Sequence, residues 1–313
     1  MKVVSAADLD RVLTYPALVE ALREAFRAEV TVPLRHHHVV PQAGSDALML
    51  LMPAWTSGEK SFLGCKIVTV FPDNTKVQRP SIYGSYMLMS GTTGEPLAVI
   101  DGTTLTAWRT ASASALAASY LARQDAEHLV MIGAGALAPH LVRAHASVRP
   151  IKRVTLWNRT RGRAVQAAFA LNVGGLEVEV TDDLEAAVRE ADIVSCATLS
   201  ATPLVRGKWL KKGAHVDLVG AYTPKMRESD DDAIRRSRVY VDTRAGALKE
   251  AGDIVQPLKK GVLKKDGVRG DLFELCRHEV KGRTKAGEIT LFKSVGSAIE
   301  DLAAAMLVWR AMQ

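Results

Sequence analysis

The strongest constraint on this chain is the sequence around Gly133. An apolar run, Leu129 to Ile132, turns through Gly133 and Gly135 into Ala136-Leu137-Ala138. Strand, tight turn and helix start in that order are what a dinucleotide-binding fold needs where it meets a pyrophosphate. Gly133 permits the turn, Gly135 lets backbone approach phosphate, and the small Ala138 lets the new helix pack close to the sheet. Amides at the helix start, around Ala136 and Leu137, then face the anion. A GxGxxA pattern also occurs in ordinary Gly/Ala-rich turns. Here a second apolar strand, Val154 to Trp157, follows after a helix-length interval and closes on Asn158-Arg159-Thr160. That spacing raises a Rossmann-type site above the simpler alternative.

The end of the second strand bears on which nucleotide is bound. A site selective for NAD commonly places Asp or Glu there for the ribose hydroxyls. This chain has Asn158, Arg159 and Thr160, followed by Arg161 and Arg163. Arginine binds the extra phosphate of NADP through a charge-assisted fork that a carboxylate would repel. NADPH is therefore the expected preference, with NADH as the alternative. The competing account is that these arginines only solubilise a helix start.

Downstream, helix patterns at Arg161 to Phe169 and Asp183 to Glu190 alternate with apolar segments at Leu176 to Val180, Ile193 to Ala197, Ala214 to Val219 and Arg238 to Val241. Strands spaced by helices argue for a mainly parallel sheet. Thr198 follows the Ile193 strand at its carboxyl end, where such sheets expose their ligand crevice. Asp266 to Gly270 reads as a flexible polar connection, Ile289 to Phe292 as a last strand, and Ile299 to Val308 as a terminal helix.

The first part of the chain has a different grammar. Ser5 with Asp8, and Thr14 with Pro16, mark two helix starts, the second carrying an apolar face through Leu18, Leu22, Ala25 and Phe26. Leu48 to Met52 reads as a strand followed by a turn over Pro53 to Lys60. Leu63 to Phe71, Tyr83 to Met89 and Pro96 to Ile100 continue as a meander, with a hairpin turn at Ser90 to Gly94. Lys66 interrupts the Leu63 strand. In mid-strand a lysine is often an exposed edge residue, and it becomes a functional candidate if it points into a cleft, where it needs an anionic partner. Three consecutive histidines, His36 to His38, alternate across an extended strand instead of converging, so a polar strand edge is expected and a metal site is not. An alanine-rich helix, Leu105 to Leu121, places Arg109 and Thr110 near its start, where donors are unpaired.

The expected fold class is α/β, a Rossmann-type cofactor domain over 121–294 with a mixed-sheet α+β domain made of 1–120 and 295–313. A chain of 313 residues, 48% apolar and 24% charged, is long enough for two such domains. Its net charge of +7 favours small anionic ligands. The basic residues are dispersed, and the densest cluster, Lys259-Lys260 with Lys264-Lys265, has no interleaved aromatics, so no nucleic-acid partner is expected. Cys65, Cys196 and Cys276 form no CxxC and favour a reducing compartment. No leader pattern or membrane-length apolar run is evident, and a cytoplasmic location without membrane attachment is expected.

Read together, these segments closely resemble the ornithine cyclodeaminase and mu-crystallin family. The resemblance rests on Pro33-Leu34-Arg35, Gly64-Cys65-Lys66 through Phe71-Pro72-Asp73-Asn74, Leu105 to Thr110, the glycine turn, and Phe292 to Gly296 with Glu300-Asp301. It implies a homodimer with a substrate and dimerisation domain beside the cofactor domain. It also implies that Arg35, Lys66 and Arg109 line the substrate pocket, Lys66 and Arg109 being the catalytic candidates, and that Asn74, Thr110 and Ser294 lie near the nicotinamide or phosphates. The family includes cyclodeaminases, alanine dehydrogenases, cyclic-imine reductases and non-catalytic NADPH-dependent binding proteins. Cyclodeaminases carry an aspartate where this chain has Tyr222, in the segment Gly220 to Glu228, and tyrosine is not the same carboxylate partner for an amine. GAYTPKMRE looks more like the reductases of Δ1-pyrroline-2-carboxylate and its six-membered homologue. The resemblance thus implies reduction of a small carboxylated cyclic imine to proline or pipecolate, with alanine dehydrogenase, ornithine cyclodeaminase and a crystallin-like binding protein as alternatives.

Overall fold

A computed structural model describes residues 1–59, 61–171 and 175–313. The chain divides into two compact units, Met1–Arg109 with Ser297–Gln313, and Thr110–Gly296.

The first unit is built on a mixed sheet. Its elements are β1 (Lys2–Val4), α1 (Ala6–Val12), α2 (Tyr15–Arg27), β2 (Val30–Thr31), β3 (His36–Val40), β4 (Ala47–Thr56), β5 (Phe62–Val70), β6 (Ile82–Ser90) and β7 (Pro96–Asp101). Strands run in the order β1-β7-β6-β5-β4-β2, with β3 also paired to β4. β1 is parallel to β7 and every other pair is antiparallel. The two helix starts form as the caps dictate: Ser5 and Asp8 close a capping box, and the Thr14 hydroxyl accepts from the Ala17 amide with Pro16 in the first turn. Leu18, Leu22 and Phe26 are fully buried, and Ala25 is partly so. The three histidines lie exposed on β3, at the edge of the sheet.

Two expectations for this unit need correction. The turn expected over Pro53 to Lys60 is strand as far as Thr56, and Lys60 lies outside the described residues. Pro53 is tolerated because β3 pairs with β4 only up to Leu51 and β2 only from Trp55, so the proline falls where that side of the strand has no neighbour. The alanine-rich helix, α3, spans Gly102–Leu121, and Asp101 accepts the Thr104 amide at 2.7 Å. Arg109 therefore sits two turns inside the helix, with its amide in the ladder, and not at an open N-terminus.

The second unit is an eight-stranded, fully parallel sheet. It comprises β8 (His128–Ile132), α4 (Leu137–Val148), β9 (Arg153–Trp157), α5 (Arg161–Leu171), β10 (Glu177–Val180), α6 (Leu184–Glu190), β11 (Ile193–Cys196), β12 (His215–Leu218), α7 (Asp231–Arg236), β13 (Ser237–Val241), α8 (Arg244–Glu250), α9 (Gly252–Lys259), β14 (Val268–Asp271), α10 (Leu272–Cys276) and β15 (Ile289–Lys293). The order is β10-β9-β8-β11-β12-β15-β13-β14. β8, β11, β12 and β15 are buried throughout, as expected of parallel strands covered on both faces. The polar connection expected at Asp266 to Gly270 is in part β14, an edge strand paired with β13. Its four residues, Val-Arg-Gly-Asp, are too few and too polar to show a strand period, yet Val268, Gly270 and Asp271 are buried.

The C-terminal helix, α11 (Ala298–Ala311), belongs to the first unit and packs on α2, β4 and β5. The boundary between units falls within α3, at Arg109/Thr110, instead of at its end. Among the described residues, no helix is long and apolar enough to cross a membrane.

Candidate active site and nucleotide cleft

In the first unit, β5 points Lys66 inward opposite Tyr86 of β6, and the lysine is only 2% exposed. The ammonium has the partners such burial demands: Nζ donates to Asp301 Oδ1 at 2.8 Å and to Thr106 Oγ1 at 3.2 Å. Arg109, one turn beyond Thr106 on α3, donates from Nε to the same Asp301 oxygen at 2.9 Å and from Nη1 to Glu300 Oε2 at 2.6 Å. Glu300 and Asp301 occupy the first turn of α11, where carboxylates are favoured by the helix dipole, and both are completely buried.

The cluster is electrostatically tense. Burial, then the charge of Arg109, draws the Lys66 ammonium down to about 8; Asp301 pulls the other way, and Arg35 adds to the depression. Burial also works against the Arg109 cation, but Asp301 and Glu300 outweigh it and raise its pKa. Burial and the nearby Asp301 charge push the Tyr86 phenol up, so it stays neutral. Arg35 is partly buried just ahead of β3. Two cations, Lys66 and Arg109, thus meet the two carboxylates of Glu300 and Asp301, and the charge of Arg35 is felt at Lys66.

In the second unit a cleft of about 400 Å³ opens at the carboxyl ends of the parallel strands, lined in part by Gly133, Gly135, Asn158, Arg159, Thr160, Arg163 and Thr198. Gly133 has φ +104°, and a Cβ there would stand 2.6 Å from the Ala197 carbonyl, so only glycine fits the turn. A Cβ at Gly135 would meet nothing within 4 Å, which is the open approach a ligand requires. No side chain caps the start of α4, and the uncapped helix end suits an anion. Asn158 ties the turn together, accepting from the Ala134 amide at 3.3 Å and donating to the Thr160 carbonyl at 2.9 Å. Arg161 is paired with Asp182 at 2.7 Å, whereas Arg159 and Arg163 border the cleft. No carboxylate is among the described residues that line it. These features fit a nicotinamide dinucleotide.

The remaining expected residues are placed differently. Ala136 and Leu137 stand at the start of α4 but do not line the cleft. Thr110 and Ser294 are buried in the second unit outside the cleft lining, and the Ser294 hydroxyl donates to Asp242 at 3.2 Å. Asn74 belongs to the first unit, where its amide donates to the Pro80 carbonyl at 2.9 Å. Sequence reasoning assigned no role to Asp301 or Glu300 as ionic partners. Two adjacent acids directly ahead of the apolar run Leu302 to Trp309 were the available signal.

Fold and site define a dinucleotide-dependent oxidoreductase built from a parallel nucleotide-binding unit and a mixed-sheet unit carrying buried charge. The chain belongs to the ornithine cyclodeaminase/mu-crystallin family, whose model matches residues 1–313. It is 38% identical to Δ1-pyrroline-2-carboxylate reductase of Colwellia psychrerythraea over 310 residues, 97% of each chain. Among solved structures it is similar to Thermococcus litoralis Δ1-pyrroline-2-carboxylate reductase in complex with NADH and L-proline, with a TM-score of 0.93, 34% identity and coverage of 99% of this chain and 97% of that one. An archaeal alanine dehydrogenase dimer with bound NAD gives a TM-score of 0.90 at 28% identity, covering 99% and 95%.

Proposed function

We propose that this protein reduces Δ1-pyrroline-2-carboxylate, or its six-membered homologue, to the cyclic amino acid at the expense of a reduced nicotinamide nucleotide. The observation that carries this reading is the charge pattern of the first unit: a buried Lys66-Arg109 pair held by two carboxylates, with Arg35 near enough for its charge to act on Lys66. Buried cationic donors suit a small substrate bearing a carboxylate. Full-length similarity to reductases of this imine supports the assignment.

In this reading Arg35 and Arg109 bind the substrate carboxylate, guanidinium supplying fixed paired donors. Lys66 Nζ keeps the imine nitrogen protonated, because an ammonium drawn down to about 8 is both charged at neutral pH and a competent acid. The protonated C=N bond accepts electrons at C2 more readily, since its positive charge is neutralised as they arrive. When bound, the nucleotide supplies the hydride, and the protein supplies orientation and field.

NADPH is the proposed preference over NADH, supported by Arg159 and Arg163 at a cleft without a lining carboxylate. A homodimer is proposed as well. Its support is the pair Ile67 and Tyr83, 38% and 48% exposed on the sheet face opposite Lys66, together with the dimeric archaeal relative. The activity is tested by mixing purified protein with Δ1-pyrroline-2-carboxylate or Δ1-piperideine-2-carboxylate and following NADPH and NADH oxidation. Folded protein that turns over neither imine across neutral pH refutes the assignment.

A further inference from the structure

β11 and β12 are neighbours in the parallel sheet, and their chains leave its carboxyl edge through Thr198 and through Gly220-Ala221. A fully buried carboxylate, Glu228, ties these two exits together. Its Oε1 accepts the Thr198 amide at 2.7 Å and the Thr198 hydroxyl at 3.0 Å. Its Oε2 accepts the Gly220 amide at 2.9 Å and the Ala221 amide at 3.1 Å. The loops touch so closely that a Cβ on Gly220 would stand 2.0 Å from the Thr198 carbonyl oxygen.

Glu228 is itself held. Asp253 Oδ1 accepts its backbone amide at 3.0 Å and the Ser229 amide at 2.8 Å, while Lys293, at the end of β15, stands 3.5 Å from both acids. A buried carboxylate with this many fixed donors has one geometry available to it. One of the two loops it fixes carries Thr198 into the nucleotide cleft.

We propose that Glu228 is a positioning residue for the nucleotide: it clamps the exits of β11 and β12 so that Thr198 is presented to the cofactor in one orientation. The inference rests on the reading of the cleft as a nicotinamide nucleotide site. Glu228 is not among the residues that line the cleft. With its hydroxyl proton and amide committed to Glu228, Thr198 has its hydroxyl lone pairs to offer, so it faces the ligand as an acceptor.

The test uses the full-length protein, with nucleotide affinity measured by fluorescence titration with NADPH and by the gain in melting temperature at saturating NADPH. Glu228→Gln keeps the volume but replaces one of the two acceptor oxygens by a donor. The expected result is at least a tenfold rise in NADPH Kd and a smaller NADPH-induced thermal shift, with the imine KM at saturating NADPH within twofold of wild type. A lower melting temperature of the free protein with an unchanged NADPH Kd overturns the proposal, because it assigns Glu228 to stability alone. Gly220→Ala wedges the loops apart without altering charge; it is expected to weaken NADPH in the same way, and serves if Glu228→Gln does not fold. Unchanged NADPH affinity in a folded Gly220→Ala protein likewise overturns the clamp. Wild-type protein that binds neither NADPH nor NADH refutes the nucleotide reading itself, and the positioning role with it.

Discussion

Replacing Asp301 with asparagine should move the pH at which activity is lost. Asparagine keeps an oxygen where Lys66 Nζ and Arg109 Nε now meet, at 2.8 and 2.9 Å, so the geometry survives while the negative charge goes. In the wild type Lys66 titrates at about 8, and in the proposed mechanism its working form is the ammonium. Activity is then present below that pH and falls as pH rises through it. A hydrogen bond to a charged group contributes about 1.5–3 kcal/mol, which at about 1.4 kcal/mol per pKa unit corresponds to roughly 1–2 units. With burial, Arg109 and Arg35 still depressing it, Lys66 in the variant should titrate near 6 to 7, within about a unit on this scale. The assay is kcat/KM for the imine at saturating NADPH from pH 5.5 to 9.5. At pH 8 the variant should be slower by roughly 5- to 50-fold, and by much less at pH 5.5. A variant with the same alkaline limb as wild type, or one impaired equally at every pH, refutes the claim that Asp301 sets the charge on Lys66. Tracking the Lys66 13Cε chemical shift against pH reads the same quantity without turnover.

Removing both Arg159 and Arg163 as alanines should raise the KM for NADPH by tenfold or more and leave that for NADH within about threefold, since charge-assisted bonds to a phosphate contribute on the order of 1.5–3 kcal/mol each; equal losses for both nucleotides would contradict the assigned phosphate role. Gly133→Ala places a methyl 2.6 Å from the Ala197 carbonyl at φ +104°, and should abolish measurable nucleotide binding in titration while the protein still folds. Asp192 is held at about 2: burial works to raise it, but Lys211 and the amides of Glu127 and His128 prevail. Its stabilising share is full above the ordinary aspartate value and is lost as pH falls through about 2, so Asp192→Asn should cost on the order of 2 kcal/mol in urea unfolding at pH 7. That deficit should shrink toward zero near pH 2.

Much of this organisation was legible in the sequence because its causes are local. The turn at Gly133, the Ser5-Asp8 box and the Thr14-Pro16 start each depend on residues within a few positions of one another, and all three form where the pattern puts them. The alternation of strand and helix after His128 was readable for the same reason. β14 escaped because four mostly polar residues carry no period, and its strand character comes from pairing with β13. The position of β15, between β12 and β13, is likewise a property of the sheet and not of any segment. Lys66 was recognisable as anomalous in a strand, but the partner that makes its burial tolerable lies 235 residues away.

That separation makes the charged cluster an outcome of closing the first unit. Lys66 comes from β5, Arg109 from α3, and both carboxylates from α11, which returns after the whole nucleotide-binding unit has been made. Until α11 docks, Lys66 and Arg109 lack these carboxylates, and burying them carries a penalty of several kcal/mol per ion. Docking that supplies two acids at once therefore couples the last element of the chain to the first sheet electrostatically as well as by packing. If Arg35 receives a carboxylated ligand, as proposed, proline bound with the oxidised nucleotide should raise the melting temperature of wild type more than that of Arg35→Met. An equal gain in both would mean that Arg35 is not what receives the substrate.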